Sequence, residues 1–203
     1  MMALYSESSM KSHAIIRTPS AHDAPLSIGQ ILDRGLAAAP AQEIVYADRL
    51  RYTYTTLGER VRRLASALAG LGVKPGSTVA IMDWDSHRYL ECFFAVPMMG
   101  AVLHTVNVRI SPEQVLYTIN HAEDDVILVN AEFLPLLEAI HEKIRPGVTL
   151  VLINDAASKP KSNITFAGEY ETMYFLPWRA VLGLVQMQGA EAWLLPPVPC
   201  SGH

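Results

Sequence analysis

Three short stretches carry residue types that can do chemistry. Residues 71–82, LGVKPGSTVAIM, set glycines, a lysine and a Ser-Thr pair ahead of an apolar run. A loop of that composition cradles phosphate when it leaves a strand and opens a helix, because the first N–H groups of the helix then point at the anion. Residues 82–88, MDWDSHR, bring Asp83, Asp85 and His87 together, the donor types of a metal or general-base site. Capping is the better account of Asp85 and Ser86, since carboxylates are favoured at a helix start and no third ligand stands at a suitable spacing. Residues 106–109, VNVR, place Asn107 and Arg109 after another apolar run, where Arg109 suits either a carboxylate or phosphate ligand or the loop it stands in. His104 lies inside an apolar run, the setting of a hydrogen-bonded core histidine, and Cys92 has no histidine paired with it to make a nucleophile. The motifs G-x-S-x-G, H-E-x-x-H and G-x-x-x-x-G-K-[ST] are all missing from the 203 residues.

Which elements hold these residues decides between the readings. Leu57, Val61, Leu64, Ala65, Leu68 and Leu71 repeat at helical spacing, with Arg60, Arg62 and Arg63 mainly on the other side. Thr55 or Thr56 is placed to cap that helix, with Glu59 completing a capping box to Thr56. Gly70 or Gly72 falls at its C-terminal end, where a positive φ is needed, and Pro75-Gly76 makes a turn before the strand TVAIM. The glycine loop therefore joins helix to strand, the wrong polarity for phosphate.

The alternation continues with a helix over 86–100 capped by Ser86, a strand over 101–106 and a helix over 111–122 capped by Ser111 with Gln114. A strand over 125–130, a helix over 132–144 and a strand over 148–154 follow. Before them come a helix with Ile28, Ile31, Leu32 and Leu36 on one face and a hairpin of 44–46 with 52–54. Trp84, Tyr89, Phe93 and Phe94 fall at helical spacing and read as core. The strands are continuous apolar runs, as when helices cover both faces of a parallel sheet. The fold class expected is α/β, a doubly wound, mostly parallel sheet with helices on both faces. After residue 155 the rhythm stops. Residues 155–172 read as loop, and Val181–Met187 as a short helix or strand in a stretch interrupted by Pro177, Pro196, Pro197 and Pro199.

Half of the residues are hydrophobic and 18% are charged, which excludes wholesale disorder. A net charge of −4 gives no reason to expect nucleic acid. Cys92 and Cys200 form no CxxC pair, and no stretch has the length of a spanning helix or the apolar core of a signal peptide. The expectation is a cytoplasmic protein with a flexible arm over 1–25, one α/β domain over 26–172 and a poorly ordered tail over 173–203.

Residues 26–172 resemble the N-terminal part of adenylate-forming (AMP-binding) acyl-CoA synthetases, and within them the fatty-acid–CoA ligases. The resemblance is carried by YTYTTLGERVRRLASAL, GVKPGSTVAIM, YLECFFAVPMMGAVLHTVNVR and SPEQVLYTINHAEDDVILV. It implies an enzyme that activates a medium- or long-chain fatty acid with ATP and magnesium to an acyl-adenylate and passes the acyl group to CoA. The family's phosphate loop, adenylate segment, ribose-binding Asp and C-terminal lysine have no counterpart in this sequence. No catalytic, cofactor-binding or metal residue is carried over, and no cofactor is expected for this chain alone. The resemblance thus implies an inactive fragment of a ligase. The alternatives are a non-catalytic module that forms a homo-oligomer or docks on a full-length synthetase through uncovered apolar surface, and a small nucleotide binder using Asp83, Asn107 and Arg109.

Overall fold

The apolar runs fold as strands and the stretches of helical spacing fold between them. The structure, a computed structural model, describes residues 27–156, 158 and 160–173 together with Ser20. Helix α1 (Ile28–Ala38) leads to a hairpin of β1 (Glu43–Tyr46) and β2 (Leu50–Thr53), and α2 (Tyr54–Gly70) grows directly out of β2. Then come β3 (Thr78–Met82), α3 (His87–Met98), β4 (Val102–Thr105), α4 (Pro112–His121), β5 (Val126–Asn130), α5 (Leu134–Ile140) and β6 (Thr149–Ile153). A two-residue strand β7 (Gly168–Glu169) and a single turn α6 (Tyr170–Met173) close the described chain.

Strands β3 to β7 form one parallel sheet in the order β4-β3-β5-β6-β7, the α/β architecture expected. Side chains of the central strands alternate between two cores. Val79, Ile81, Val126, Leu128, Val151 and Ile153 meet α2 and α3, whereas Ala80, Met82, Ile127, Val129, Leu150 and Leu152 meet α4 and α5. Each fully buried aliphatic side chain contributes about 1.5–3 kcal/mol, so both faces need their helices.

The glycine loop has the polarity read from the sequence. Val73 N–H reaches the Leu68 carbonyl at 3.1 Å and Gly72 N–H that of Ala69 at 3.0 Å, with Gly72 at φ 91°. This double bond pattern with a left-handed glycine ends helices generally. Ser77 N–H then closes a turn onto Lys74 with Gly76 at φ 87°. Ser86 caps α3, and Ser111 with Gln114 makes a complete capping box on α4.

Several expectations are corrected. Thr53, rather than Thr55 or Thr56, caps α2 by accepting from Thr56 N–H, because the helix starts immediately after the strand and has no linker to spend on a later cap. The helix expected over 132–144 is α5 alone, flanked by 3₁₀ turns at Ala131–Phe133 and His141–Lys143. Ile31, Trp84 and Phe93 are exposed, at 66%, 39% and 44%, although their spacing reads as core. The loop expected over 155–172 contains β7, whose main chain pairs Gly168 with Val151, and α6, whose Tyr170 is buried. The expected arm over 1–25 lies outside the described residues except for Ser20, and so does the expected tail except for Met173, which ends α6. The reading of Val181–Met187 also falls outside them.

Candidate functional site

The chain crosses from β3 to β4 on one side and returns to β5 on the other, so the strand order reverses between β3 and β5. In open α/β sheets, ligands bind outside the carboxyl ends of the strands at such a point. Here the residues following β3, β5 and β6 bound an open cleft of about 640 Å³, closed on another side by the hairpin and α2.

Asp83 follows β3 and is buried. Its carboxylate accepts from Asn130 Nδ2 at 2.7 Å, from Trp84 N–H at 2.9 Å and from the Ser86 hydroxyl. Burial pushes its pKa up, and these three bonds and the charge of Arg88 offset the rise only in part. Asp83 thus ties β3 to β5 and shapes the entry to α3. Asp85 points to solvent, and His87 packs between Tyr46 and Tyr52, ring centroids 5.3 and 6.2 Å away. The three do not converge, and no group of metal-ligating side chains occurs among the described residues. His104 is the hydrogen-bonded core histidine expected, its Nδ1 2.8 Å from the fully buried Asp124 carboxylate. Asn107 holds its own loop by accepting from Arg109 N–H, and the Arg109 guanidinium lies 5.6 Å over the Trp84 ring. The Cys92 thiol is fully buried and its pKa is pushed far up by that burial, leaving no thiolate for chemistry.

The strongest chemistry in the cleft comes from residues the sequence did not mark. Arg60 of α2, read as surface, turns inward. Its Nε donates to Glu91 Oε1 at 2.6 Å, and its Nη2 reaches both Glu171 oxygens at 3.1 Å. Glu91, with no exposure at all, also accepts from the hydroxyls of Tyr52 at 3.2 Å and Tyr170 at 2.8 Å. Arg88 donates from Nε to Glu171 at 2.9 Å and from Nη2 to Asp155 at 2.6 Å. Burial raises the Glu171 carboxyl, but the His87 imidazole and the Arg60 and Arg88 charges outweigh it and bring it down to about 2. Burial and the Glu91 charge raise the Tyr52 phenol. The network fastens α6 to α2 and α3. The only local trace of it is a charged residue, Glu91, on the face of α3 that also carries Cys92 and Ala95.

A parallel sheet with a cleft at its switch point, lined by polar groups from several strand ends, is the architecture in which open α/β domains bind ligands. Among known proteins the class narrows. The chain belongs to the AMP-binding enzyme family, whose model matches residues 32–183. It is 37% identical over 176 residues to a long-chain-fatty-acid–CoA ligase of Thermus thermophilus, covering 82% of this chain and 32% of that protein. It is 36% identical over 140 residues to a medium-chain-fatty-acid–CoA ligase of Ectopseudomonas oleovorans, covering 66% of this chain and 26% of that one. Its fold matches an anthranilate CoA ligase crystallised with anthranoyl-AMP at a TM-score of 0.59 and 28% identity, over 64% of this chain and 26% of that chain. The chain therefore spans a third or less of the length of these relatives.

Proposed function

We propose that the chain supplies the N-terminal scaffold of a cytoplasmic fatty-acid–CoA ligase and forms no acyl-adenylate by itself. The whole reaction would join a medium- or long-chain fatty acid to CoA through an adenylate, using ATP and magnesium. The family match and the names of the relatives support the reaction class. The observation that carries the second half is the pairing of the cleft's arginines. Arg60 is held by Glu91 and Glu171, and Arg88 by Glu171 and Asp155, so while these pairs stand the cleft offers no uncompensated cation pair to a triphosphate. Adenylyl transfer needs positioned cations and backbone donors at the phosphates. The test is pyrophosphate release from ATP and magnesium with octanoate or palmitate. No release above a protein-free blank is expected, and fatty-acid-stimulated release refutes the reading.

One observation favours association as a second role. Among the described residues strand β4 ends the sheet, with Val102 55% exposed and Phe93 of the neighbouring α3 44% exposed. An uncapped edge beside apolar side chains is a route to pairing. Sedimentation velocity tests it: a concentration-dependent shift that Val102→Lys removes supports association, and a monomer at all concentrations refutes it.

A further inference from the structure

Among the cleft's side chains, Arg88 has bonding capacity that the fold leaves unused. It is 5% exposed and leaves the first turn of α3, a helix of 12 residues. Its Nε side is taken by Glu171. At the other end of the guanidinium, Asp155 engages Nη2 through one oxygen, and Nη1 is buried without any partner. A buried donor left unmet costs about 1–3 kcal/mol, more when it is charged. An oxyanion meets Nη1 and Nη2 together through two of its oxygens, the two-pronged geometry in which arginine binds carboxylate and phosphate. Asp155, placed by the loop after β6 with its side chain 36% exposed, meets only half of that fork. His87, beside Arg88, is likewise buried with Nδ1 unpartnered.

We propose that the Nη1–Nη2 end of Arg88 is an oxyanion subsite, for a carboxylate or phosphate group, that Asp155 occupies as a built-in competitor. The charge balance of the cleft fits this arrangement. Arg49, Arg60 and Arg88 face Glu132, Asp155, Glu171 and the buried Glu91 that holds Arg60, so withdrawing Asp155 takes the cluster from one net negative charge to neutral and removes a carboxylate that would repel an anion. The start of α3 adds a dipole that favours an anion. Arg49, exposed on the hairpin turn, lines the same cleft and adds a second cation within it.

The test titrates the full 203-residue chain with inorganic phosphate and, in parallel, with acetate, by calorimetry and by ¹⁵N-detected arginine side-chain NMR. Asp155→Ala is expected to bind at least one of the two anions about tenfold or more tightly than the wild type, with the Arg88 guanidinium signal shifting on titration. Adding Arg88→Lys to Asp155→Ala is expected to abolish the gain, since an ammonium offers charge without the fork. The preferred anion tells which oxyanion the subsite takes. Equal binding by wild type and Asp155→Ala overturns the proposal. So does a gain during which the Arg88 signal stays still, a result readable even if the lysine variant does not fold.

Discussion

Replacing Glu91 with alanine should be among the most damaging single changes in the described fold. The carboxylate is wholly buried and satisfies Arg60, Tyr52 and Tyr170 at once. Removing one member of a buried ion pair costs about 3–5 kcal/mol, because the other charge is left without compensation. Arg60 keeps its bonds to Glu171, which places the electrostatic loss near the lower end of that range. The two tyrosine hydroxyls lose their acceptor, and the missing methylene adds roughly 0.8 kcal/mol. The expected total is about 4 kcal/mol, a large part of the roughly 5–15 kcal/mol that a domain commands. Urea unfolding followed by far-UV circular dichroism measures it. The informative comparison is Arg60→Leu with Glu91→Leu together. With neither charge left alone, that pair should be less destabilised than the sum of the single changes by about 2 kcal/mol. A Glu91→Ala loss under about 1 kcal/mol, or additive effects of the two leucines, refutes the account of the network.

The depressed Glu171 carboxyl makes stability depend on acid: its contribution is complete above the ordinary value of 4.5 and lost as pH falls toward about 2. That displacement is worth about 3 kcal/mol at full strength, and roughly half of that for a side chain 42% exposed to screening solvent. Glu171→Gln should flatten the decline between pH 5 and 2 by about that amount, and an unchanged slope refutes the assignment. Gly72→Val should cost about 1 kcal/mol or more through backbone strain alone, since open space surrounds the position at φ 91°. Gly70→Ala, helical and unobstructed, should stabilise by about 0.5–1 kcal/mol, and thermal melts that reverse this order refute the cap. His104→Ala leaves Asp124 buried without its partner and should cost about 3 kcal/mol, which a melting temperature within about 2 °C of wild type would contradict.

What the sequence shows and hides follows from how local each signal is. Ser86, Ser111 and Gln114 act on N–H groups three residues away or fewer, so their caps are readable from neighbours. The apolar runs of β3, β5 and β6 are buried on both faces and stand out for that reason. Periodicity shows that Trp84 and Phe93 share helical spacing with buried residues, but it does not show how much of each ring stays exposed. Strand β7 is two residues long and owes its existence to pairing with Val151 and Leu152, not to composition. The cleft is hidden for the same reason. Arg60, Arg88 and Glu91 look like ordinary helix charges until Glu171 and Tyr170, 79 to 111 residues later, are brought against them. The AMP-binding likeness was legible because it runs along the whole α/β segment.

That separation orders events during synthesis. Arg60 and Glu91 are 31 residues apart, so they meet while the chain is still short, whereas Arg60 and Glu171 are 111 apart. At about 5–20 residues per second, Glu171 leaves the ribosome roughly 5–20 s after Arg60. Over that interval α2 and α3 hold Glu91 with a single guanidinium, and Arg88 lacks both of its carboxylates until Asp155 emerges and one of them until Glu171 does. The nascent helices therefore present unspent positive charge that the loop after β6 and then the last described turn neutralise. A ribosome stalled before residue 155 should expose Arg88 to anionic chaperone surfaces or to ribosomal RNA, and release past residue 171 should withdraw it.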